Sequence, residues 1–115
     1  MLSQEYFFGQ IEKEFATARE ALKVGNDGKA RVCARRAAGH AITWFLSKYP
    51  RQGWGTDALR QLQNLKDDPS FPQDVREAAE RLITKVSDQF RYPFSTIPLE
   101  DAQIIITHIE KVMEA

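Results

Sequence analysis

The chain has 115 residues, 43% of them apolar and 28% charged, with 16 basic residues against 16 acidic ones. That is enough for one globular domain with its own core. A net charge of zero gives no bulk attraction to nucleic acid or to an anionic membrane, and no apolar run nears the ~20 residues of a membrane span. The single cysteine, Cys33, cannot form an internal disulfide and fits a reducing compartment. Lying among alanines, it reads as a packed thiol. The N-terminus shows no signal-peptide pattern, so the expected location is the cytoplasm.

The first element places Phe8, Ile11, Phe15, Ala18 and Leu22 on one helical face, with Ser3 as N-cap and Glu5 in the first turn. "VGNDG", Val24 to Gly28, stops it, since two glycines and an asparagine tolerate positive φ. A second helix follows Asp27 as N-cap and runs to about Tyr49, where Pro50 and Gly53 close it. Its apolar residues (Cys33, Ala34, Ala37, Ala38, Ala41, Ile42, Phe45, Leu46) cover more than one narrow stripe. That breadth predicts a central helix packed against at least two others, with small residues allowing close approach.

Thr56 or Asp57 caps a short third helix bearing Leu59, Leu62 and Leu65, which ends at "DDPSFP". Pro72 fits the first turn of a fourth helix, with Asp74 and Glu77 at its positive end and Val75, Ala79, Leu82, Val86 and Phe90 on its inner face. Two prolines in "RYPFSTIP" break the chain before a last helix from Leu99 to about Met113. There Ala102, Ile105, Ile106, Ile109, Val112 and Met113 point inward. "QIIIT" alone has strand character, but helical patterning on both sides outvotes it. The expected fold is all-α: one domain over residues 1–115, an up-and-down bundle of four long helices plus one short helix.

Two regions carry chemistry. From Lys29 to Lys48 there is no acidic residue, and Arg31, Arg35, Arg36 and His40 fall within that run. Arg36 and His40, four apart, share a face, whereas Arg35 and His40, five apart, differ by about 140° in direction. Glu12, Glu20, Glu77 and Glu80 are available as neutralising partners. The second region is Arg91-Tyr92-Pro93, where the arginine can satisfy helix carbonyls or offer a planar fork to phosphate. The tyrosine there can cover the core edge or stack on a base. Trp44, Trp54 and Phe94 are candidates for exposed aromatics. Trp54, between two glycines, either folds back on the bundle or belongs to an interface. "PRQGWG" lacks the Gly-Lys-Ser/Thr of a phosphate loop, no Gly-x-Ser-x-Gly elbow occurs, and His108 has no partner at metal-ligand spacing on its face.

The run "AAGHAITWFL", Ala37 to Leu46, and the segment "RYPFSTIPLEDAQIIITHIEKV", with Arg91-Tyr92-Pro93 followed by Asp101-Ala102, resemble the HEPN domain family in order, spacing and helical context. The resemblance covers nearly the whole chain. It implies a helical bundle, often a homodimer, and in many relatives a minimal nucleotidyltransferase as partner, sometimes as a toxin–antitoxin pair. Other relatives are metal-independent ribonucleases with an Arg/His pair at the junction before the last long helix. Arg35 and His40 have the spacing but lie in another helix, and Thr96, Ile97 or Pro98 stands where the junction histidine belongs. Gly39-His40 replaces the family's Glu-Lys pair, and Thr56-Asp57 a frequent histidine. The expected function is a non-catalytic module that binds a nucleotide or a nucleotidyltransferase partner, without cofactor, metal or membrane. Arg36, His40, Arg91 and Tyr92 are its phosphate-binding candidates and catalytic residues are absent. A ribonuclease acting across a dimer and a scaffold without nucleotide affinity are the alternatives, and direct nucleic-acid binding stays open.

Overall fold

The computed structural model describes residues 3–85 and 92–114. The described chain is all helical: α1 Gln4–Lys23, α2 Asp27–Lys48, α3 Ala58–Lys66, α4 Gln73–Ile83 and α5 Pro98–Glu114, with no strand among the described residues. It forms a body of 39 × 28 × 22 Å. Three helices are long, at 20, 22 and 17 residues, while α3 has 9 and α4 has 11. The expected inner-face positions Val86 and Phe90 lie outside the described residues, as does Arg91.

Local chemistry sets the helix ends. The Ser3 hydroxyl accepts from the Tyr6 amide at 3.2 Å, satisfying one of the free N–H groups that open α1. At its far end the Asn26 amide donates to the Ala21 carbonyl (2.8 Å) and the Gly25 amide to the Leu22 carbonyl (3.1 Å). This crossed pair needs Gly25 at φ +75°, a conformation costly for any residue with a Cβ. Asn26 then serves twice. Its side chain accepts from the Lys29 amide at 3.1 Å, so the cap of α2 is Asn26 and not Asp27, which is the first helical residue. One residue thus closes α1 and opens α2, turning the chain back on itself.

α2 is the central rod and touches each of the other four helices. Ala30, Ala34, Ala37, Ala38, Ala41 and Ile42 on it are buried completely. The alanines let neighbours approach, as the breadth of the apolar pattern predicts. Phe7, Ile11 and Phe15 of α1, Leu62 and Leu65 of α3, Val75, Ala79 and Leu82 of α4, and Ala102, Ile105 and Ile109 of α5 complete the main core. A smaller cluster of Ala18, Ala21, Ala30 and Cys33 joins α1 to α2. Phe8 and Leu22, expected inward, are half-buried at the edge of the α1 face, which centres one residue earlier, on Phe7. Trp44 and Trp54 are both buried, and Trp54 folds back against Phe71 with ring centroids 6.2 Å apart. No described helix is long and apolar enough to cross a membrane.

Candidate anion-binding cleft

The inner face of α3 runs through positions 58, 61, 62 and 65, one helical stripe, so Gln61 is fully buried and Leu59, expected inside, is exposed beside it. The Gln61 amide nitrogen donates to the Thr43 hydroxyl at 2.9 Å and to the Gly55 carbonyl at 3.0 Å, tying α3 and its preceding loop to α2. The helices come unusually close here. A Cβ on Gly39 would lie 2.8 Å from the Ala58 Cβ and 3.3 Å from the Gln61 Oε1, so only glycine fits. Asp57 caps α3, accepting from the Arg60 amide at 3.0 Å. These contacts fix the start of α3 against the middle of α2.

Between them lies a cleft of about 490 Å³, whose walls include Arg35, Arg36, His40 and Thr43 from α2 and Thr56, Asp57 and Leu59 from the start of α3. Two of the four sequence candidates, Arg36 and His40, therefore sit in one site. Arg35 joins them although it diverges from His40 on the helix, because the opening spans the whole outward flank of α2 between them. Asp57 is the one carboxylate among the described residues lining the cleft. Neither Arg35, Arg36 nor the adjacent Arg31 makes an ion pair among the described residues. The acids expected as partners do not reach them, and Glu20 pairs instead with Lys23 at 3.1 Å.

The electrostatics follow from this arrangement. Burial pushes the Arg35 guanidinium below its ordinary value, Arg31 adds to that push, and Asp57 opposes it. It stays charged near neutral pH all the same, as an arginine does. Burial also holds the His40 imidazole below its usual range, with Glu14 of α1 pulling it up and Arg36 pushing it down. Near pH 7 His40 is thus a neutral imidazole, able to donate one hydrogen bond and accept another. The cleft offers one partly desolvated guanidinium fork (Arg35), an exposed one (Arg36), two hydroxyls and an imidazole, a set suited to a phosphate or carboxylate group.

Tyr92 lies elsewhere. Its hydroxyl donates to the Asp101 Oδ2, and the Thr96 hydroxyl donates to the same oxygen at 2.9 Å. Arg81 of α4 donates to the Asp101 Oδ1 from Nε at 3.0 Å and from Nη2 at 2.7 Å. Asp101 is fully buried, and every hydrogen bond it accepts from these side chains compensates the loss of water around its charge. Burial and then the Asp101 carboxylate push the Tyr92 hydroxyl far above the ordinary phenol range, so it remains a donor. The Tyr-Pro and Asp-Ala motifs thus meet in a clasp that fastens the segment before α5 to α4 and α5. Arg81 and Thr96 complete it, and nothing local in the sequence marks either one: the contacts span 20 and 5 residues.

A larger groove of about 550 Å³ runs between α4 and α5 and contains His108, which packs edge-to-face on Phe71 at 5.6 Å. Its charges are mixed, Asp74 and Glu100 against Lys111, and it holds none of the sequence candidates. Among the described residues no group of three His, Cys, Asp or Glu side chains could hold a metal ion. No protein-family model, curated protein or solved structure gives a significant match to the chain.

Proposed function

We propose that the chain is a non-catalytic binding module that holds a phosphate-bearing ligand, a nucleotide, in the cleft between α2 and α3. One observation carries this reading: half-buried Arg35 and exposed Arg36 line the same cleft with no ion-pair partner among the described residues. A guanidinium that is half-buried and without an ion pair, as Arg35 is, gains more from an incoming anion than one fully in water. Arg36 and His40 hold the phosphate together with Arg35, while Thr43 and Thr56 add hydroxyl contacts and Leu59 offers apolar surface at the rim. The HEPN resemblance extends the proposal to an up-and-down bundle of that type. It acts in the cytoplasm, commonly as a homodimer, beside a nucleotidyltransferase partner in an accessory or toxin–antitoxin role. Arg91 adds a second basic contact in that scheme, while the Tyr92 hydroxyl is held by Asp101.

Calorimetric titration of the full chain with adenosine monophosphate tests the cleft. Saturable binding, weakened about tenfold or more by Arg36→Ala and unaccompanied by product formation, is the expected result. Binding indifferent to Arg36→Ala would remove the cleft from the proposal. A metal-independent ribonuclease is the second reading, favoured by Arg35 and His40 lining one cleft and by the neutral state of His40, which a general base requires. It ranks lower because no second imidazole lines the cleft to act as the acid. RNA cleavage abolished by His40→Ala would reverse the order.

A further inference from the structure

Arg31 and Arg35 are four residues apart on α2, so they share a face and stand about 6 Å apart along the helix axis. Like charges at this spacing destabilise a helix unless something neutralises them. Here Asp57 offsets the charge of Arg35 only in part, and neither arginine makes an ion pair among the described residues. The Arg31 side chain is half-buried, and its Nε is shut off from solvent without an acceptor. The acid that belongs to this part of the fold is already committed: Asp101 takes two bonds from Arg81 and one each from Tyr92 and Thr96. Arg31 lies near enough to the clasp for its charge to act on the Tyr92 hydroxyl, so it is a cation left over beside it, about one helical turn from Arg35 of the cleft wall. Arg35 belongs to the cleft wall and Arg31 does not. The unneutralised charge therefore continues past the cleft along α2.

We infer that this face recognises a chain of linked phosphates, with one phosphate at Arg35 and Arg36 in the cleft and a further one at Arg31. The inference rests on the proposed phosphate site in the cleft and goes beyond it, since it assigns a second subsite and a polyanionic ligand class. A single phosphate occupies the cleft and leaves the Arg31–Arg35 repulsion partly in place. A linked chain reaches both guanidinium groups and neutralises the pair.

The test is calorimetric titration of the full chain with inorganic orthophosphate and with inorganic tripolyphosphate at one low ionic strength. The expected result is tripolyphosphate binding at least about tenfold tighter than orthophosphate. Arg31→Gln brings the two within about threefold and leaves orthophosphate affinity within about twofold of the unsubstituted chain, whereas Arg36→Ala weakens both anions. Arg31→Lys keeps the charge without the planar fork, and it retains part of the tripolyphosphate preference. This variant also decides the matter should Arg31→Gln not fold. Equal affinity for the two anions, or a preference untouched at Arg31, overturns the second subsite while leaving the cleft site standing. Failure of orthophosphate itself to bind, or binding indifferent to Arg36→Ala, overturns both.

Discussion

Asp101→Asn tests how far one buried carboxylate organises the end of this fold. The substitution keeps the size of the side chain and removes its charge. An amide carbonyl can still accept from Arg81, but the guanidinium loses the counter-charge 2.7 Å away. On the other side an NH₂ group can replace the oxygen that receives Tyr92 and Thr96, so donors would then meet a donor. Breaking a buried ion pair by removing one partner costs about 3–5 kcal/mol. The lower end applies, because the Arg81 side chain keeps 25% exposure while Asp101 has none, and because the two hydroxyls can rotate. A loss of about 3 kcal/mol in a domain of this size lowers Tm by roughly 12 °C. In urea, with a slope of about 1.5 kcal/mol/M, the midpoint falls by roughly 2 M. Tyr92→Phe alone costs about 1.5 kcal/mol, and in the Asp101→Asn background less than about 0.5 kcal/mol, since the two side chains act as a unit. A loss below about 1 kcal/mol for Asp101→Asn, or strict additivity of the two substitutions, would refute the claim that the carboxylate holds the clasp together.

The other expectations concern glycine and histidine. Gly9→Ala, at an exposed mid-helix position where a Cβ meets nothing within 4 Å, raises stability by about 0.5–1 kcal/mol in urea unfolding. Gly39→Ala places its methyl 2.8 Å from Ala58 and forces the helices apart, so overpacking of about 1–3 kcal/mol outweighs the same propensity gain. A stabilised Gly39→Ala would show that α3 moves freely on α2. His40 and His108 are both held below the ordinary histidine value, chiefly by burial. The unfolded chain therefore takes up protons first as pH falls below about 6.5, and stability declines in that window, being fully present only above it. NMR titration of the two imidazoles checks this directly, and either one titrating at or above 6.5 in the folded chain contradicts it. Saturating phosphate raises the His40 value and leaves His108 unmoved, because only His40 lies in the cleft.

What could be read from the amino-acid order is what repeats locally. The five helices, the Ser3 cap, the breadth of the buried face on α2 and the inward isoleucines of α5 all follow from spacing and capping chemistry. Asn26 shows the limit at a boundary. The sequence pattern puts the cap of α2 at Asp27, and the crossed bonds that finish α1 bring the cap one residue earlier, to Asn26. Leu59 and Gln61 show the limit inside. Leucine outranks glutamine in hydrophobicity, yet Gln61 is the buried one because two acceptors from other segments converge on its amide. The cleft was half legible. Arg36 and His40 share a helical face, whereas the entry of Arg35 depends on where α3 docks, and that depends on Gly39, a residue with no side chain to notice. The partners of Asp101 were hidden for the same reason, since a contact across 20 residues leaves no periodic trace.

Cys33 sits in the small alanine-rich seam joining α1 to α2, 3% exposed, and burial pushes its thiol above the ordinary range. A reagent in water meets it only when that seam parts. The rate at which the thiol is alkylated, followed against rising denaturant below the unfolding transition, therefore measures the free energy of lifting one helix off its neighbour. The chain carries its own gauge of partial opening at the junction closed by Asn26, and no label has to be introduced to use it.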